Sequence, residues 1–328
     1  MSEATAKAEA FVAAHLGEAA ALGAHLAELT GEPEVFLTSL TEGLVSLADP
    51  DYLDMVTRAC PETPARYVVR GPLTKAINAP VRRALREGSS ISALQLAQRL
   101  AEAEHRDLRL YALEPLRRAL PEDPELAWQI MRRLGRSAGD WIATDSLADL
   151  WARGVLAEDF RWAELEQLVY SQHTYERRLV PAALATLPHR LPRARRAELR
   201  PEAAGRAHEM IRLLMGDAEI MVQKALAWAI REWTPVDAEA TATLLRAETA
   251  IAAERRDGAR AWVIRDALAK QPPALATELR AQLEGIRRDP RSPSTSIAST
   301  QAVAFAPALS SSHDAVAAQG GRYTRSRA

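Results

Sequence analysis

The stretch Asp140-Trp-Ile-Ala-Thr-Asp-Ser-Leu-Ala-Asp-Leu-Trp-Ala152 decides the fold class, because its apolar residues recur with the period of an α-helix. At 100° per residue, most of them fall on one side of that helix. They are Ala143, Leu147, Leu150 and Trp151. Trp141 and Asp145 fall on the opposite side, which we expect to point away from the core. The stretch therefore predicts an amphipathic helix with an aromatic and acidic pair on its outer face.

Two further segments, His173–Leu187 and Glu219–Arg231, have the same helical period and also carry unusual residues off their apolar stripes. In the first, Arg178 lies opposite the stripe, beside Ala182 and Ala185. In the second, three residues lie away from the stripe: Lys224, Trp228 and Arg231. Because two tryptophans, a carboxylate and basic groups recur on successive helices, we expect them to share one concave site.

Composition favours a helical, intracellular protein. The chain has 328 residues, of which 48% are hydrophobic, and this is enough for a sizeable core. A formal net charge of −1 gives no overall attraction to nucleic acid or to a membrane. Cys60 is the only cysteine, which excludes an intramolecular disulfide and a cysteine-rich zinc site. We find no stretch of about 18 apolar residues and no signal-peptide pattern, so we expect a cytoplasmic protein without a membrane span.

From about Lys7 to Ile286 the chain reads as consecutive amphipathic helices, separated by proline and glycine turn signals. Helices with short connections and no strands favour an all-α fold, an α-solenoid of HEAT-like repeats, over an irregular α-bundle. We assign residues 1–288 to one helical domain. Residues 289–328 are rich in Ser, Ala, Gly and Pro without helical periodicity, which predicts a disordered tail.

Basic residues are concentrated locally despite the neutral total. Between Arg58 and Arg118 the sequence has 12 Lys or Arg against 6 Asp or Glu. Arg82, Arg83 and Arg86 form one cluster within it. If these residues share one surface, that surface would suit binding of a nucleic-acid phosphate backbone. The alternative is that they lie on ordinary solvated helix faces, which have the same composition.

Common catalytic signatures are absent, and the seven histidines lack metal-ligand spacing, so we predict neither a metal nor a cofactor. Two tryptophan rings beside the Asp145 carboxylate would suit a flat cationic guest, with Arg178 and Lys224 at a neighbouring phosphate. The alternative is that Trp141 and Trp228 pack as ordinary core. The remaining tryptophans are assigned to packing: Trp128, Trp151, Trp162, Trp233 and Trp262.

Four segments resemble the AlkD-like, HEAT-like repeat family of DNA alkylation-repair glycosylases, over roughly Pro80 to Leu268. Asp140-Trp-Ile-Ala-Thr-Asp145 looks like the family's W-x-x-x-D motif. Tyr175-Glu-Arg-Arg178 looks like its W-x-x-R helix, with Tyr175 in place of tryptophan. The other two are His105-Arg-Asp-Leu-Arg-Leu-Tyr-Ala112, similar to a helix rich in E-x-R, and Lys224-Ala-Leu-Ala-Trp-Ala-Ile-Arg-Glu232, similar to K-A-x-x-W-x-L-R-E.

The resemblance implies a C-shaped α-solenoid that clasps duplex DNA and removes N3- and N7-alkylated purines without deep base flipping, leaving an abasic site. It places the catalytic aspartate at Asp145 and the lesion-side tryptophans at Trp141 and Trp228. The phosphate-contacting arginine falls on Arg178. We expect further phosphate contacts from basic residues nearby: Lys224, Arg231, Arg82 and Arg83. A monomer would suit such a clasp.

Two hypotheses follow. The first is a monofunctional alkylpurine DNA glycosylase. Because an alkylated purine is already cationic, it leaves without a general acid, so one carboxylate suffices where ordinary glycosidases use two. The second is a non-catalytic HEAT-like module that binds protein or DNA, which the near-neutral charge favours. Pro181 further predicts that the helix carrying Arg178 begins or kinks nearby.

Overall fold

The computed structural model describes residues 3–63 and 65–303, and across these residues the backbone is helical without β-strands. The all-α prediction is confirmed. The chain divides into two compact units, the first ending at Arg161 and the second beginning at Trp162. Each unit is described by itself below.

The first unit contains nine α-helices within its described residues. They are α1 (Glu3–Glu28), α2 (Pro33–Leu47), α3 (Pro50–Ala59), α4 (Gly71–Glu87), α5 (Ser90–Ala101), α6 (Arg106–Arg109), α7 (Leu113–Ala119), α8 (Pro124–Ser137) and α9 (Trp141–Ala157). Local sequence sets several starts: the Ser89 hydroxyl caps α5, and Asp123-Pro124 begins α8.

Helix α1 packs along α4 at very close range, because Gly23 has no side chain. A Cβ atom at Gly23 would lie 2.5 Å from the carbonyl oxygen of Ile77 on α4.

Elsewhere in this unit, Trp128 of α8 packs on Trp151 of α9, with ring centroids 4.4 Å apart and both side chains buried. The predicted packing role of these two tryptophans is confirmed, as it is for the buried Trp162 and Trp233 of the second unit.

Helix α1 bears on the expectation that the protein has no membrane span. It is the one helix in the described part of the chain whose length and composition would allow a crossing, with a mean hydropathy of 1.2 over its most apolar window. That statement rests on length and composition alone. Within the protein, 17% of the same window is buried.

Helix α10 (Arg161–Gln167) begins at the boundary between the units. The longer helices of the second unit are α11 (Thr174–Thr186), α12 (Glu202–Leu214), α13 (Ile220–Trp233), α14 (Ala238–Arg255), α15 (Gly258–Ala267) and α16 (Pro273–Gln282). Helices pack on their second neighbours in two series: α11 on α13 and α13 on α15, and α12 on α14 and α14 on α16. Alternate helices therefore form two layers, with α11 and α13 in the same layer.

Residues 289–303 depart from the predicted disordered tail, because they pack on the second unit and are helical over residues 297–303. The Thr295 N–H donates to the Gly216 carbonyl at 2.9 Å, and the Thr295 hydroxyl donates to Asp257. Ser296 and Ala298 are fully buried. Tertiary hydrogen bonds order a segment that lacks helical periodicity, and residues 304–328 of the predicted tail lie outside the described residues.

Candidate functional site

The N-terminus of α9 is fixed by the buried carboxylate of Asp140. Its Oδ1 accepts a hydrogen bond from the Ala143 N–H at 2.9 Å, and its carbonyl accepts one from the Thr144 hydroxyl at 2.9 Å. This N-cap satisfies a backbone donor that the first turn of a helix leaves without a partner. Trp141 is therefore held as the first residue of α9, and Asp145 lies one turn later.

Trp141 and Asp145 are both partly exposed, as the sequence predicted, while Leu147, Leu150 and Trp151 on the opposite side are buried. The Trp141 indole N–H donates to the Ala59 carbonyl at the end of α3, at 3.3 Å. One edge of the ring is thus tied to the neighbouring helix. The predicted partial exposure of this pair is confirmed, but the predicted outer face does not continue along α9, because Ala148 and Ala152 on the same side are fully buried.

A buried group of charges lies behind this helix start. The Arg106 guanidinium, 4% exposed, lies 3.4 Å from the Asp140 carboxylate and 3.2 Å from that of Asp107. Asp107 in turn accepts hydrogen bonds from the backbone N–H groups of Arg66 and Tyr67, at 2.7 and 2.9 Å. Residue types and spacing predicted no role for Arg106 or Asp140; the only local signal is an aspartate directly before a stretch with helical apolar periodicity.

In the second unit, α13 presents Lys224 and Trp228 one turn apart. Lys224 is exposed and Trp228 is partly exposed, whereas the apolar stripe of Val222, Ala225 and Leu226 is buried. This prediction is also confirmed. Arg231, one turn nearer the end of α13, forms an ion pair with Asp266 and donates to its backbone carbonyl at 3.2 Å.

The predicted outer face of α11 is wrong. Arg178 is only 5% exposed, and Ala182 and Ala185 are fully buried. The Arg178 guanidinium donates to the backbone carbonyl of Met221 in the first turn of α13. Because α11 packs against α13, the side that sequence periodicity left to solvent is covered, and Arg178 joins the two helices.

The helix also continues through Pro181, which lies inside α11 rather than at its start. The prediction of a helix start near this residue is therefore wrong. Arg177, next to Arg178 in sequence, donates to the Asp217 carboxylate at 2.7 Å, and Asp217 accepts the Glu219 N–H at 2.9 Å. Two successive arginines of α11 thus hold the turn that leads into α13, a role that helical periodicity does not indicate.

The predicted basic cluster lies on the exposed side of α4. Arg82 is paired with Glu114 through two hydrogen bonds of 2.9 and 2.6 Å, and the bonded carboxylate raises the pKa of Arg82. Arg83 and Arg86 are exposed and form no ion pair with the described residues. The same holds for Lys75, which lies two to three turns earlier. At helical spacing these three cations follow one another along α4.

A family model described as DNA alkylation repair enzyme matches residues 40–270, which include α4, α9, α11 and α13. The chain belongs to the DNA alkylation repair enzyme family. No curated protein and no solved structure matches it. The predicted family membership is confirmed, and membership gives the protein an enzymatic role in DNA alkylation repair, with DNA as its partner.

Proposed function

We propose that this member of the family is a monofunctional glycosylase that hydrolyses the N-glycosidic bond of cationic N3- or N7-alkylated purines in duplex DNA, acting as a monomer. The observation that carries the proposal is the pair of Trp141 and Asp145 at the start of α9. A carboxylate and an indole ring lie one turn apart on a partly exposed face, on a helix whose start is fixed by buried charges.

The chemistry follows from the charge of the lesion. When the bond between C1′ and the purine nitrogen breaks, its electron pair moves to the purine and cancels the positive charge of the base. No proton has to be supplied to the leaving group. The deoxyribose becomes an oxocarbenium-like cation, which the Asp145 carboxylate stabilises by its negative charge. A water oxygen then bonds to C1′, and its proton passes to Asp145 or to solvent.

Trp141 contributes an aromatic face to the cationic sugar or base, and Trp228 is assigned the same task from α13. The exposed cations Lys224, Arg83 and Lys75 are the groups best suited to phosphates. For Arg178 we propose a positioning role through the Met221 carbonyl, because its guanidinium is buried. We further propose that the two layers of alternate helices in the second unit are HEAT-like repeats.

Asp145→Asn tests the mechanism directly. Because the amide carries no negative charge, we expect release of 7-methylguanine and 3-methyladenine from methylated duplex DNA to fall by about 10² to 10³-fold. The measurement is chromatographic quantification of free base under single-turnover conditions. Asp149→Asn, one turn further along α9 at a carboxylate paired with Arg117 and Arg153, is the matched control and should retain activity. Full base release by Asp145→Asn would exclude the assigned mechanism.

A non-catalytic module that binds protein or DNA is the second candidate, and one observation favours a module that binds protein. Three of the five predicted phosphate-binding residues are already bonded within the protein: Arg178, Arg231 and Arg82. A non-catalytic module predicts binding of its partner without release of any base. Base release by the wild-type protein separates the two functions.

A further inference from the structure

A cavity of about 130 Å³ lies in the first unit beside the start of α9. Its apolar wall includes Val56 of α3, Leu110 after α6, and Ile142 of α9. Ile142 lies between Trp141 and Asp145 in sequence, so the cavity reaches the helix that carries both. An apolar cavity of about 150 Å³ accommodates benzene, so this space suits one six-membered ring.

Three tyrosines supply aromatic surface to the cavity: Tyr52, Tyr67 and Tyr111. Burial raises the pKa of Tyr111 well above the ordinary value, and its hydroxyl bonds Thr74. It nevertheless keeps accessible surface, which fits its place in the wall of a cavity. Aromatic walls around a one-ring space favour a planar, unsaturated guest.

One polar group of the cavity has unused hydrogen-bonding capacity. Asn78, on α4, is the only asparagine in the chain, and its carboxamide forms no hydrogen bond with the residues that the structure describes. Arg106 lines the same cavity, but its Nη2 and Nε face the carboxylates of Asp107 and Asp140 at 3.2 and 3.4 Å and are not available to a guest. A carboxamide offers a donor and an acceptor side by side, the pattern that pairs with the edge of a nucleobase.

Charge narrows the class of guest further. The Arg106 guanidinium lies beside two carboxylates, those of Asp107 and Asp140, at 3.2 and 3.4 Å. Its positive charge is therefore already paired within the protein. An anion in the cavity would have to compete with these two carboxylates for Arg106, whereas an uncharged guest with ring nitrogens or carbonyl groups would not.

We propose that this cavity binds a nucleobase by its six-membered ring, with the Asn78 carboxamide paired to the edge of the base. The five-membered ring of a purine occupies the side where Tyr52 and Asn78 reach the surface. The identity of the guest as a free purine rests on the proposed function, because a glycosylase releases an uncharged base. Binding itself requires neither DNA nor catalysis, so it is tested separately.

The single asparagine gives a direct probe. Full-length protein labelled with ¹⁵N only in asparagine shows one side-chain carboxamide in an NMR spectrum, that of Asn78. We expect adenine and 3-methyladenine to shift this signal with saturation, and inorganic phosphate to leave it unchanged. An unmodified duplex serves as a further arm: a shift with duplex alone would show that the base enters while still attached to DNA. No shift with free base or duplex, or a shift with phosphate, overturns the proposal.

Variants provide an independent measurement by calorimetric titration with adenine. Asn78→Leu removes two hydrogen bonds at similar side-chain size, so we expect binding to weaken about tenfold or more. Gln95→Leu, which removes an exposed carboxamide on α5 outside the cavity, should bind adenine like the wild type. Asp145→Asn should also bind adenine normally, which separates failure of this site from failure of the glycosylase mechanism. Unchanged binding in a folded Asn78→Leu protein would contradict the assignment, and if that variant does not fold the labelling experiment decides.

Discussion

Helices α9 and α13 present the same pattern, a tryptophan one turn from a charged residue on a partly exposed face, but their N-termini are held by different means. Helix α9 begins at a buried aspartate that caps the helix and lies 3.4 Å from Arg106. Helix α13 begins at Glu219, whose side chain forms no cap, and its first turns are held from outside. Arg178 bonds the Met221 carbonyl, and Arg288 bonds Gln223 at 2.9 Å.

The difference shows that similar side-chain patterns do not require the same local support. The start of α9 is specified by its own cap residue, with support from Arg106 of α6 and from the Ala59 carbonyl of α3. The start of α13 depends on neighbouring helices and on the segment after α16, so its position is a property of the whole second unit. Perturbations should therefore act strongly and locally at α9, and more weakly and through several partners at α13.

The largest effect is expected for Asp140→Ala. This change removes the cap of α9 and one of the two carboxylates beside the buried Arg106, so the free energy of unfolding should fall by about 3–5 kcal/mol. Urea unfolding followed by tryptophan fluorescence gives the magnitude, and hydrogen exchange of α9 peptides gives the location. Asp140→Asn keeps a cap acceptor without charge and should cost less. A loss below about 1 kcal/mol for Asp140→Ala would remove the proposed distinction between the helices.

Arg178→Met should have the next largest effect. The substitution removes the bond to the Met221 carbonyl while keeping an apolar side chain of similar length, and we expect a loss of about 1–3 kcal/mol. Faster hydrogen exchange should appear in the first turn of α13. Arg206→Met, at a partly exposed arginine of the same unit, is the control. If Arg178→Met left stability unchanged but weakened duplex binding, the phosphate role implied by the family resemblance would be favoured over positioning.

Glu219→Ser should stabilise the protein instead of destabilising it, because the serine supplies the side-chain cap that α13 lacks. A serine hydroxyl at this position can accept from a backbone N–H of the first turn, so we expect a gain of about 0.5–1 kcal/mol in the free energy of unfolding. Equilibrium unfolding at neutral pH measures it. A loss of stability would show that the outside contacts already fix the helix start in a geometry that excludes a local cap.

The smallest effect concerns charge rather than stability. Lys224 is exposed without an ion pair among the described residues, whereas Arg231 is paired with Asp266. If Lys224 contacts a phosphate, Lys224→Ala should reduce the slope of log affinity against log salt by about 1. Arg231→Ala should reduce it less. Equal reductions would mean that DNA breaks the pair of Arg231 and Asp266.

Sequence periodicity predicted the helices and the partly exposed pairs of α9 and α13, since each depends on residues within a few turns of one another. It failed for α11, where Arg178 and two alanines are covered by a second helix. Periodicity identifies one buried side of a helix, and a helix packed on several sides violates that assumption. The ordered residues 289–303 were missed for a related reason, because hydrogen bonds to Gly216 and Asp257, distant in sequence, hold them.

The sequence by itself determined the all-α class, the pairing of Trp141 with Asp145 and of Lys224 with Trp228, and the family, because these depend on local spacing and residue type. Only the tertiary structure decided which charges remain available to a ligand. It buried Arg178 and paired Arg231 and Arg82 with acidic residues. It also placed Arg106 beside Asp140, and it placed Asn78 and Arg106 in the wall of one cavity. The physical reason is that burial and ion pairing depend on side chains far apart in sequence, whose approach is fixed only when the helices pack.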